Sequence, residues 1–173
     1  MSSSPIDPPA LLPATPTHAA LIASWISSPE EALWTAPQTQ PPITANSVAS
    51  WIASAGRPRV LLARDPNTAA HDRIVAYGEV NPFEFQPQHF WIGHVIVAPH
   101  ARGRGFGRQI AEGLRHIAFN ELAATKLTLV VFSANEPARR AYAAAGFAFE
   151  GYETHLLKPY DRREVLVRMV AYS

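Results

Sequence analysis

Cysteine is absent from the 173 residues. Disulfides, thiolate nucleophiles and cysteine-based metal sites are therefore excluded. Charge is sparse, at 17% of residues, and one sign is missing from a whole region. Residues 1–56 contain no lysine or arginine, only Asp7, Glu30 and Glu31. All fifteen basic residues lie from Arg57 onward, and thirteen are arginine. A net charge of +1 gives no bulk attraction to nucleic acid or anionic membrane, yet leaves room for local arginine patches. No apolar run approaches the ~20 residues needed to cross a bilayer. The basic segment and apolar run of a signal peptide are also lacking. These absences lead to the expectation of a soluble, cytoplasmic protein. The 47% apolar content supplies a core, and the length suits one compact domain.

Nine of the sixteen prolines fall between residues 5 and 42, breaking the first quarter into short pieces. Residues 1–9 read as a mobile leader, with a single domain over 10–173. Ala10–Ala14 suits a short strand. Thr15 and Pro16 then open a helix carrying Ala20, Leu21, Ser24 and Trp25. Residues 36–42 read as a loop. Thr44 caps a second helix with Val48, Trp51 and Ile52 on one face, stopped by Gly56. Strands are expected at Arg59–Arg64, Ile74–Val80 and Phe90–Ala98, with residues 65–72 as a hairpin loop. A helix over about Gly105–Phe119, a buried strand at Leu127–Phe132 and a helix over Glu136–Ala145 follow. Strands at Phe147–Leu157 and Val165–Tyr172 close the chain. This order implies a mixed sheet with helices on both faces.

Val95-Ile96-Val97-Ala98-Pro99 leads into Arg102-Gly103-Arg104-Gly105-Phe106-Gly107-Arg108. Glycines at 103, 105 and 107 let a ligand approach the main chain closely. A helix opening just after them aims several unpaired N–H groups at one point, where phosphate oxygens are attracted. The alternative is a connection that uses glycine for geometry alone. The stretch has neither the last glycine of G-x-G-x-x-G nor the Gly-Lys-Ser/Thr of a P-loop, so dinucleotide and ATP sites are not indicated. One strand later, Asn135 stands where strand becomes helix, and Tyr142 follows two helical turns on. Taken singly, these suit a helix cap and a core tyrosine.

Together the two elements are more specific. Arg102-x-x-Gly105-x-Gly107, then Asn135-x-x-Ala138-x-x-x-Tyr142-x-x-x-Gly146-Phe147, resembles the GNAT superfamily of acyl-CoA-dependent N-acetyltransferases. The resemblance implies an α/β (α+β) fold with a mixed, mostly antiparallel sheet of about seven strands and a splayed cofactor cleft. It implies acetyl-CoA as acyl donor and no metal. The main-chain N–H groups from Arg102 to Arg108 would take the CoA diphosphate. The strand Val95-Ile96-Val97 would offer Val95 N–H to the thioester carbonyl and Val97 to the pantetheine amides. Asn135 would touch pantetheine, and Tyr142 would protonate the departing thiolate.

The acceptor amine must lose a proton to attack. Val130 stands where some relatives carry a glutamate base. Glu79, on one face with Tyr77 by strand alternation, and His94, beside Val95, are the remaining candidates. The resemblance places the acceptor among Trp25, Trp34, Trp51, Phe83, Phe85, Trp91, Tyr152 and Tyr160. Glu30, Glu31, Glu79 and Glu84 are there to attract a cation. A small amine, an amino acid, an antibiotic or a protein N-terminus all fit, and a homodimer through the apolar strand Val165–Val170 is open. The competing readings are a non-catalytic acyl-CoA sensor or scaffold and a nucleic-acid module using the Arg/Gly stripe. The small net charge disfavours the latter.

Overall fold

The computed structural model describes residues 11–54, 56–63 and 73–173. The expected leader over 1–9, Ala10, Arg64 and the loop over 65–72 lie outside the described residues.

Among the described residues seven strands form one sheet: β1 (Leu11–Pro13), β2 (Arg57–Ala63), β3 (Arg73–Pro82), β4 (His89–Val97), β5 (Lys126–Phe132), β6 (Ala148–Leu157) and β7 (Arg162–Tyr172). Their spatial order is β1-β2-β3-β4-β5-β7-β6. Every neighbouring pair is antiparallel except the central β4–β5 pair. This is the mixed, mostly antiparallel sheet that the motifs imply.

Among the described residues five α-helices accompany it: α1 (Ala19–Ala23), α2 (Pro29–Thr35), α3 (Ala45–Ser54), α4 (Phe106–His116) and α5 (Glu136–Ala144). Thr44 opens α3 as expected, its Oγ1 accepting the Ser47 N–H at 3.3 Å. Asn135 caps α5, its side chain accepting the Ala138 N–H at 3.3 Å. Helix α4 ends in a wide turn over Ile117–Glu121, so the apolar stripe runs on past its last regular residue.

Sequence reading expects one helix before residue 36; the structure has two. The chain turns at Ser27 and Ser28 and restarts as α2. The signal is a capping pair. The Ser28 side chain accepts the Glu31 N–H at 3.1 Å, while Glu31 Oε2 accepts the Ser27 N–H at 2.7 Å. Pro29 takes the first helical position, where its missing N–H costs nothing.

Helices cover both faces. Ile110 and Leu114 of α4 pack against Gly78 of β3, where any Cβ would meet Leu114 Cδ1 at 2.8 Å. On the other face α3 lays Trp51 over β4. The main core joins Ile22, Val48, Trp51, Tyr77, Ile110, Leu114 and Leu127. A second, smaller cluster of Phe132, Leu157 and Leu166 takes Leu33 and Trp34 of α2, so α2 is seated on the β5–β7–β6 half of the sheet.

Candidate active site

The parallel β4–β5 pair is only partly zipped. Pairing runs through His89↔Lys126, Phe90↔Leu127 and Trp91↔Thr128 and stops there, although β4 continues to Val97 and β5 to Phe132. Beyond Trp91 the strands part, leaving one edge of β4 with unpaired main-chain groups. A cavity of about 1030 Å³ fills the gap.

The glycine turn forms one end of this cavity. Gly103 and Gly105 have φ of +73° and +84°, a region that other residues enter only with strain. A Cβ at either position would meet nothing within 4 Å, so both face open space. From Gly103 to Arg108 the main-chain N–H groups donate to no main-chain acceptor among the described residues. The first bond of α4 is Gln109 N–H to Gly105 C=O at 3.1 Å. The helix dipole adds positive potential at the same point.

The arginines of the turn have separate tasks. Arg102 N–H caps the short turn before it by donating to Pro99 C=O at 3.4 Å. Its guanidinium donates to Val97 C=O at 3.1 Å, to Trp25 C=O at 3.2 Å and to Glu31. It therefore ties the end of β4 to α2 and the loop before it. Glu31 answers in kind. Burial raises its pKa, but the Ser27 and Arg102 bonds outweigh that and hold it below the usual carboxylate range. Arg108 pairs with Glu112 on its own helix, and Arg104 lies over the Phe106 ring, off the cavity wall. Val95, Ile96, Val97, Asn135 and the remaining residues of the turn line the cavity.

Tyr142 also lines it, from α5. Its ring packs edge-on to Phe147 at 6.3 Å. Burial pushes its phenol well above the ordinary value, so the hydroxyl keeps its proton. No bond to this hydroxyl occurs among the described residues.

His94 stands at a β-bulge. Tyr77 pairs with Ile96 and Glu79 with Gly93, so Gly78 alone faces two residues of β4, His94 and Val95. His94 takes a left-handed φ of +47°, unusual for a residue with a side chain. The bulge turns its imidazole onto the α3 face of the sheet. There it stacks on Trp51 at 4.2 Å, nearly parallel, and its Nδ1 meets Glu79 Oε1 at 2.8 Å. Glu79 also accepts from Tyr77 Oη at 2.6 Å and from Asn81 Nδ2 at 3.1 Å. Burial by itself raises the Glu79 pKa. The bond and charge of His94, with the bonds from Tyr77 and Asn81, overcome it and hold Glu79 ionised. The alternation argument places Tyr77 and Glu79 together as expected. The two base candidates, however, are one unit: His94 lines the cavity, while Glu79 is buried behind it.

The far end of the cavity is lined by α2, Phe83, Trp91 and the β7–β6 hairpin. Of the eight aromatics expected around an acceptor, Trp34, Phe83 and Trp91 line the wall. Trp25 and Trp51 are core residues, whereas Phe85 and Tyr152 are exposed. Sequence reasoning misses Glu153, His155 and Arg168. His155 Nε2 meets Glu153 Oε2 at 2.8 Å, and Arg168 pairs with Glu153. The available signal was alternation: Gly151, Glu153 and His155 share one face of β6.

Among the described residues no group of three or more His, Asp or Glu is placed to hold a metal, and no helix is long and apolar enough to cross a membrane. A sequence model described as the acetyltransferase (GNAT) family matches residues 20–147. Solved structures similar to the chain include the spermidine N-acetyltransferase from Vibrio cholerae in complex with CoA and spermine. It shows 17% identity and a TM-score of 0.75, with 96% of each chain covered. The acetyltransferase (GNAT family) from Bacillus anthracis gives 12% identity and a TM-score of 0.75 over 94% of this chain and 93% of that one. AAC(6')-Ib in complex with ribostamycin and coenzyme A gives 19% identity and a TM-score of 0.71 over 96% and 94%.

Proposed function

Because the chain belongs to the acetyltransferase (GNAT) family, we propose that it transfers an acetyl group from acetyl-CoA directly to a primary amine, with His94 as general base. The observation that carries this reading is the parting of β4 and β5 after Trp91, with free main-chain donors at one end and His94 on the wall.

The residues fit the donor. Gly103 and Gly105 leave a cradle without side chains, and the N–H groups from Gly103 to Arg108 suit a diphosphate. The edge of β4 from Val95 through Ile96 to Val97 is not paired to β5 and suits the amides of a pantetheine arm, with Asn135 also on the cavity wall and the Val97 carbonyl shared with Arg102. Bound there, acetyl-CoA supplies the acetyl group and a thiolate leaving group. Val95 N–H polarises the carbonyl in the manner of an oxyanion donor. His94 takes a proton from the amine, directly or through water, at the Nε2 that its bond to Glu79 leaves free. Glu79 touches neither reactant. It fixes the tautomer and stabilises the imidazolium that forms. Tyr142, which burial keeps protonated, donates to the sulfur.

The test is calorimetric titration with acetyl-CoA beside ATP and NAD, on wild type and on Gly105→Glu. Saturable binding of acetyl-CoA alone, lost in the variant, supports the reading. A folded wild type that ignores acetyl-CoA refutes it. Release of free CoA thiol in the presence of an amine then separates a transferase from a sensor.

A further inference from the structure

The charges at the acceptor end of the cavity cancel. Its two glutamates, Glu31 and Glu153, are each engaged by an arginine, Arg102 and Arg168. Glu153 is bonded to His155 as well. Arg108 and Arg140 line the rest of the wall, and no aspartate or lysine joins them. Among the described residues the wall thus carries four arginines and two glutamates. A polycationic amine entering here would shed its hydration and find no free carboxylate.

Arg168 has capacity to spare. Its Nη1 stands 3.6 Å from Glu150 Oε2, too far for a hydrogen bond. Glu150 takes its hydrogen bond from the Lys126 ammonium at 2.8 Å and feels Arg168 only through space. The Arg168 side chain is a third exposed and lines the cavity from β7, at the register position of Val130 of β5. A planar guanidinium with open N–H positions suits a carboxylate. Trp34, Phe83 and Trp91 supply an apolar wall beside it.

We propose that the acceptor is an amine carrying its own carboxylate on an apolar body, an amino acid or short peptide, whose carboxylate is held by Arg168. This deepens the acetyl-transfer reading and rests on it for the fate of the amine. The acceptor brings its own anion, so it enters a neutral site without unpaired charge. Arg168 is then a specificity residue, and Glu153 is its competitor for the guanidinium.

The test titrates L-phenylalanine, L-phenylalanyl-glycine, L-phenylalaninamide and spermidine into CoA-saturated protein by calorimetry. Thiol release from acetyl-CoA is followed in parallel. At least one acid binds roughly tenfold or more tighter than the amide, the scale of one lost charged hydrogen bond, and spermidine binds weakest. Arg168→Gln removes the acid's advantage and frees Glu153, raising spermidine relative to the acids. A purely structural role would weaken all probes alike. Should that variant fold poorly, Glu153→Gln keeps Arg168 and tightens the acid. An amide that binds as well as both acids, or spermidine binding best, overturns the proposal even if thiol is released. Arg168-dependent acid binding without thiol release upholds it while refuting acetyl transfer.

Discussion

The two ends of the cleft are built from different materials. At the glycine turn the free polar groups are main-chain N–H donors, and side chains either stay clear, as at Gly103 and Gly105, or serve as braces, as at Arg102. At the proposed acceptor end the groups are side chains on five separate elements, held by one another: Trp51 against His94, Tyr77 and Asn81 against Glu79, Arg168 against Glu153. A main-chain site is fixed by backbone conformation, so it is sensitive to glycine replacement and tolerant of side-chain truncation. A side-chain site has the opposite sensitivities.

That contrast can be broken most severely at His94. His94→Ala should lower turnover by about 10²- to 10⁴-fold, the usual worth of a positioned base. Acetyl-CoA affinity measured by calorimetry should hardly move. A loss below tenfold would return the role of base to another group. Next is packing beneath the bulge. Gly78→Val drives a side chain into Leu114 and Val95, and thermal unfolding should show about 1–3 kcal/mol of destabilisation from overpacking.

A gentler perturbation acts through Glu79. Its folded pKa lies below its ordinary value of about 4.5. Its contribution to stability is therefore complete above that value and fades as pH falls through the depressed folded pKa. Unfolding followed by denaturant at pH 3 to 6 should show this loss in wild type and a flatter profile in Glu79→Gln. The smallest effect belongs to Arg108→Ala. Its guanidinium is exposed and paired within its own helix, worth about 0.3–0.5 kcal/mol, so acetyl-CoA affinity should fall no more than a few-fold. A hundredfold loss would mean that side-chain charge, not the main chain, holds the diphosphate.

The same contrast governs what could be read from the amino acids alone. The lining at the glycine-turn end of the cavity was legible because glycine spacing and the Asn135 and Tyr142 positions are local signals, each within one turn or helix. The succession of strands and helices along the chain followed from hydrophobic runs and turn residues, and Tyr77 and Glu79 lie on one face as expected. The acceptor end was legible only in part. His94 and Glu79 were named, but their union depends on a bulge that sets Gly78 against two residues of β4, and no local pattern marks it. Glu153 and Arg168 meet because β6 and β7 are adjacent antiparallel strands, a pairing of distant residues. Helix α2 was hidden by the prolines around it, although Ser28-Pro29-Glu30-Glu31 carries a start signal.

Arg102 belongs to both ends at once. It joins Val97 at the end of β4, Trp25 beyond α1 and Glu31 at the start of α2. A donor that tightens this brace should raise acceptor affinity, and by linkage the acceptor should then raise donor affinity by the same factor. Glu31→Gln should shrink that shared factor, turning a site that fills in sequence into two sites that fill independently.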